Sequence, residues 1–171
     1  MTSRTVSVGD QGYTHSSAVY TDVCDAPVII NTCVLKRHHT ANYTCAIKNN
    51  VGTVAGPGAV STRRYLHYEF PSFMDTVVEI AGVVNPELNI FDAKTVLTVG
   101  GPTYQAGVSF DANKVVRCGD IVATDAYCAE FLAAHDQDFT VDMALSIISG
   151  ADTSGLATSD LSEVEVIEIT V

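Results

Sequence analysis

Residues 25–35 read DAPVIINTCVL, a β-branched apolar run placed directly behind a proline. The run is too short for an independent helix and rich in side chains that suit a pleated surface. It therefore predicts a buried strand ending at Leu35. Helix and strand signals alternate along the rest of the chain. Residues 42–50, NYTCAIKNN, suit a short helix with Asn42 as its cap and Gly52 just past its end. In residues 71–84, Phe73, Val77, Ile80, Ala81 and Val84 recur at helical spacing behind a Pro-Ser start. NPELNIFDA then predicts a turn and a strand ending near Asp92, and KTVLTV a further strand running into a glycine loop. NKVVRC reads as a strand, and residues 120–135 as a helix capped by Asp120. DFTVDMALSIISG predicts a helix ending at Gly150, and the alternation in SEVEVIEITV a terminal strand. Residues 4–8 suggest one more short strand. Strands alternating with helices predict an α/β fold: one layered domain over residues 1–171, with a mixed or mostly parallel sheet flanked by helices.

Charge is distributed unevenly along this chain. The formal net charge is −11, which argues against nucleic acid and anionic membrane surfaces as partners. Yet from Ala26 to Tyr68 there is no Asp or Glu, while five of the nine basic residues and three of the five histidines fall there. An acid-free basic segment in an acidic protein marks either a site for an anion or a face that pairs with the acidic half. No apolar run approaches the roughly 20 residues of a membrane span. The start, MTSRTVSVGD, has no secretory h-region, so a cytoplasmic location is expected. The five cysteines, at 24, 33, 45, 118 and 128, form no CxxC, zinc or ferredoxin spacing, and are expected as reduced, buried thiols.

Ligands of α/β sheets gather at strand carboxyl ends. Three features are predicted there: Lys36-Arg37-His38-His39, Asp92, and the Gly100–Gly101 loop. Lys36 and His38, with Lys48 beyond, carry the charge and donors that a phosphate or carboxylate needs. Adjacent histidines on a strand point to opposite faces, so a metal would take His38 alone, with Asp92 or Asp125 as a second ligand. Arg37 and His39 are expected to face solvent. Asp125, inside an apolar helix, is either exposed or a functional carboxylate that needs a partner.

Taken together, VIINTCVLKRHHTANYTCAIKNNVGTVAGP, RRYLH, NPELNIFDA, VGGP, GDIVATDAYCAEFL and DLSEVEVI resemble the family known as domain of unknown function 362. The likeness covers about residues 26–168. It places Lys36, His38, Thr44, Lys48, Asn49 and Gly52 on the family's first motif, and His67, Asp92, Asp120 and Asp125 on later ones. Ile121 stands where the family has proline. Relatives carry more strands ahead of residue 26, so the resemblance implies that those strands are either absent from this molecule or supplied by a second copy or a partner subunit. Many are fused to ferredoxin-like iron–sulfur modules, but this chain has no cluster motif. The resemblance supplies a site and no reaction, so the cofactor is left open.

Three functions remain in play. The first is a domain that binds a small anionic ligand and carries redox- or cofactor-linked chemistry. Lys36, His38, Asp92 and Asp125 would be its catalytic candidates, and Lys36, His38, Lys48, Asn49, Arg64, His67, Gly100 and Gly101 its ligand-binding ones. The second is a noncatalytic or self-assembling subunit that uses a bare strand edge. The third is a divalent-metal-dependent hydrolase built on His38 with Asp92 or Asp125.

Overall fold

A computed structural model describes residues 3–8, 15–55, 66–67, 73–99 and 107–169. Its centre is a four-stranded mixed sheet built from β3 (Ile30–His38), β4 (Asn42–Thr44), β6 (Leu88–Val99) and β7 (Val108–Cys118), in the order β4-β3-β6-β7. β3 and β6 run parallel, from Ile30 opposite Leu88 to Val34 opposite Asp92, and the other two pairs are antiparallel. Helices flank this sheet: α2 (Ala46–Asn49), α3 (Phe73–Val84), α4 (Ile121–Ala133) and α5 (Leu145–Thr153). A second sheet, in the order β1-β2-β5, joins β1 (Ser3–Val8), β2 (His15–Tyr20) and β5 (Val54–Ala55), with the short helix α1 (Thr21–Cys24) directly after β2. The molecule is thus an α/β fold.

The core obeys strand alternation. Along β3, Asn31, Cys33 and Leu35 are buried while Ile30, Thr32 and Val34 are exposed. Cys33 and Leu35 join Phe91, Ala93 and Val96 of β6 under Val122, Ala129 and Leu132 of α4. A smaller core of Val19, Val54, Leu66, Ile80 and Val84 ties the second sheet to α3.

Several boundaries differ from those that local sequence predicts. β3 runs on to His38, because β4 supplies antiparallel partners for Lys36, Arg37 and His38. NIF and KTVLTV are one strand, β6, which absorbs the residues between Asp92 and Leu97 as an irregularity against β3. Asn42 caps nothing; it opens β4 with φ 61, and its side-chain amide donates to the Met143 carbonyl. The helical run before Gly150 divides into a 3-10 turn at Val141–Met143 and α5, which passes Gly150. SEVEVIEITV forms no strand among its described residues: after a turn at Leu161–Glu163, residues 164–169 are unpaired chain. Alternation gives a segment two faces, but a ladder also needs a neighbour with free backbone groups in register. By contrast Asp120 caps α4 as expected, accepting from the amides of Val122 and Ala123.

Candidate functional site

The site begins with the register of β3 against β4. Lys36 lies opposite Thr44, Arg37 opposite Tyr43 and His38 opposite Asn42. Side chains alternate across a strand, so Lys36, His38 and Thr44 share one face and Arg37 and Tyr43 the other. Arg37 therefore turns inward, against expectation. Its Nε lies 3.3 Å from the buried Asp136 carboxylate, and its guanidinium stacks 5.0 Å from the Phe139 ring. A guanidinium paired with a carboxylate and lying on an aromatic face is held as part of the fold. His39, just beyond the strand, is exposed as expected.

On the outer face, Lys36 is half-buried and makes no ion pair or hydrogen bond among the described residues. Thr44 is only 7% exposed, and its hydroxyl has no hydrogen-bond partner among them. Buried hydroxyls almost always have one, and an unmet one costs about 1–3 kcal/mol. His38 is buried, and its Nδ1 accepts from the amides of Thr40 and Ala41 at 3.2 and 3.1 Å. The neutral ring therefore carries its proton on Nε2. From His38 a row of rings leads outward. His39 stacks on one side at 4.9 Å and His67 on the other at 5.5 Å; His67 stacks on Phe73 at 4.4 Å, and the Lys48 ammonium lies 6.0 Å from the Phe73 ring centre. His38 and His67 thus lie in one row of rings that ends near the Lys48 ammonium, and Lys36 shares only the strand face of His38.

The other predicted residues lie elsewhere. Asp92 is exposed in mid-strand, paired with Val34 and Val115, and accepts from the Lys94 amide at 2.7 Å. Asn49 closes the bare edge of β3, donating to the Thr32 carbonyl and to Asn31. Asn31 continues to Asn89, which reaches the Cys118 carbonyl, so a line of amides stitches β3, β6 and β7 together. Arg64, Gly100 and Gly101 lie outside the described residues. Among the described residues no three His, Cys, Asp or Glu side chains are placed to hold a metal ion.

Asp125 is fully buried beneath the site. One carboxylate oxygen accepts from the Tyr43 hydroxyl at 2.8 Å and the other from the Ile47 amide at 3.1 Å. It does for α2 what the Asn42 cap was expected to do, from across the core. Burial pushes its carboxyl up to about 6, while the Tyr43 hydroxyl and the Ile47 amide pull it back. Three of the five free thiols, Cys33, Cys45 and Cys128, are buried around it. Burial raises the Cys128 thiol to about 11 and the Cys45 thiol well above its ordinary value; a hydrogen bond with Cys45, then burial, raises Cys33. These three thiols are buried core as expected, whereas Cys24 and Cys118, also expected to be buried, are only half-buried. A cavity of about 360 Å³, lined by Glu130, Ile148, Ser149, Asp160 and Ser162 among others, collects none of the predicted residues.

Thr44 was not a candidate from sequence, although it sits on the family's first motif; its signal was its place opposite Lys36 across a tight turn. The family model described as Domain of unknown function (DUF362) matches residues 2–130. The chain belongs to this family. The match reaches ahead of residue 26 and stops short of 168, so the family domain takes in the second sheet and the strands and helices through most of α4, and residues 131–171 lie beyond it. No curated protein and no solved structure matches the chain. No described helix is long and apolar enough to cross a membrane.

Proposed function

We propose that this domain binds a small anion, phosphate- or carboxylate-bearing, on the outer face of the β3–β4 turn between Lys36, His38 and Thr44. The observation that carries the reading is the buried Thr44 hydroxyl with no partner, opposite a lysine with no counter-ion among the described residues. In this reading Lys36 supplies charge and Thr44 Oγ1 a neutral donor, a pair suited to an oxyanion. His67 and Lys48 extend the site toward Phe73, with Lys48 adding a second positive charge, and Asp125 holds Tyr43 and α2 in place from below as a positioning residue.

Calorimetric titration with inorganic phosphate and with acetate tests it, on the wild type and on Lys36→Met and Thr44→Val. Lys36→Met is expected to weaken the preferred anion by about tenfold or more, since a hydrogen bond to a charged group is worth about 1.5–3 kcal/mol. Thr44→Val keeps the shape and removes the unmet hydroxyl, so it is expected to leave the unligated fold as stable or more stable while still losing affinity. A hydroxyl that served the fold alone would not split in that way. Undiminished binding in both variants, or no binding by the wild type at millimolar anion, overturns the proposal.

A further inference from the structure

β4 is three residues long and lies at the edge of its sheet, paired among the described residues with β3 alone. A hairpin with so short an arm is marginal by itself. Support comes from residues 136–143, which follow α4 and lie beyond the stretch that the family model matches. Asp136 is 3% exposed, and its amide donates to the Leu132 carbonyl at the end of α4. One of its carboxylate oxygens accepts from the Asp138 amide at 3.0 Å. The other makes no hydrogen bond among the described residues and faces the Arg37 guanidinium, with Nε at 3.3 Å. A buried carboxylate so placed holds its cation firmly, because releasing it would leave the charge uncompensated.

Further contacts run from the same segment to the hairpin. The Phe139 ring lies 5.0 Å from the Arg37 guanidinium and 6.0 Å from the Tyr43 ring. Arg37 Nη1 donates to the Met143 sulfur at 3.6 Å, and the Asn42 side-chain amide donates to the Met143 carbonyl at 2.8 Å. Arg37 stands between Lys36 and His38 in sequence, and Tyr43, its partner across the ladder, directly precedes Thr44. A strand that slips by one residue turns every side chain to the other face. A grip on Arg37 and Tyr43 from inside therefore fixes where Lys36 and Thr44 point outside. The acidic half of the chain does take up a base from the basic segment, taking Arg37 and leaving Lys36.

We propose that residues 136–143 are a clasp that sets the geometry of the anion site, with Asp136 as its positioning residue. Asp136 touches no anion and acts through Arg37. The inference rests on the anion reading of Lys36 and Thr44. The clasp keeps the β3–β4 hairpin in register before an anion arrives, so that binding does not have to order it.

Two measurements on the full chain test it: amide hydrogen exchange by NMR, and calorimetric titration with whichever of inorganic phosphate and acetate the wild type binds more tightly. Asp136→Asn removes the charge that Arg37 faces. Asn42→Gly suits the backbone at φ 61 and deletes the bond to Met143, so it keeps the test decisive should Asp136→Asn fold poorly. Each is expected to speed amide exchange within residues 36–44 while the rest of the sheet stays protected. Each is also expected to weaken the anion about tenfold, as a hairpin in register about a tenth of the time would. Val84→Ala, in the smaller core at the far end of α3 from Phe73, lowers the stability of the whole molecule and is expected to leave the affinity unchanged. Wild-type affinity in both clasp variants overturns the clasp alone and leaves the anion site standing. An equal loss in Val84→Ala also overturns it, since affinity would then follow overall stability. A wild type that binds neither anion overturns the anion reading, and this inference with it.

Discussion

Asp125 shows how much one side chain can carry. It is a buried carboxylate that caps a helix from another element and binds a tyrosine hydroxyl. Its folded value of about 6 exceeds the ordinary 3.8 of an aspartate. The fold therefore favours the protonated form; that contribution is full below pH 3.8 and is lost as pH rises through about 6. The shift corresponds to about 3 kcal/mol by neutral pH. Asp125→Asn removes the charge and keeps polar partners. Urea denaturation at several pH values is expected to show the stability difference moving in the variant's favour between about pH 4 and 6 and staying constant above. Parallel stability curves would contradict this. That Asp125 needs a partner was legible from a carboxylate set among Ala129 and Leu132. Which partner was not, since Tyr43 and Ile47 lie 82 and 78 residues away in sequence.

Among the elements, those whose local signals are complete matched best. α4 has its cap in Asp120, and α3 has a clear apolar stripe ending at Val84. β3 was legible as a strand, but its end was not. Lys36 and His38 look like a charged turn because strand propensity is low there, and only pairing with β4 keeps them extended. β7 bends around Asn113, at φ 51, where its residues face a shorter stretch of β6. Such a bulge is set by strand pairing, which periodicity does not report. The amide line through Asn49, Asn31 and Asn89 is a sheet device of the same origin. Asn31→Ala strands the buried Asn89 side-chain oxygen and is expected to cost about 2 kcal/mol, read as a lower urea midpoint at unchanged slope. A loss of a few tenths would mean that water replaces the amide.

At the scale of the molecule, acid and base are segregated. With a net charge of −11, self-repulsion opposes the compact state at low ionic strength. Added sodium chloride up to physiological strength is expected to raise the melting temperature, while the anion site weakens over the same range because its attraction is screened. Melting curves and calorimetry on one preparation separate the two, and a melting temperature that falls with salt would show that attractive pairs dominate instead. The sequence by itself determined the α/β class, the main strands and helices, the basic segment and the family, because these depend on local periodicity, capping and composition. Tertiary structure alone decided which of Lys36 and Arg37 faces outward, that Thr44 lies opposite Lys36 with its hydroxyl unmet, that Asp125 serves the core, and that residues 164–169 stay unpaired. Each of those outcomes depends on strand register and on what packs against it, and register is a relation between distant segments that no single stretch of chain contains.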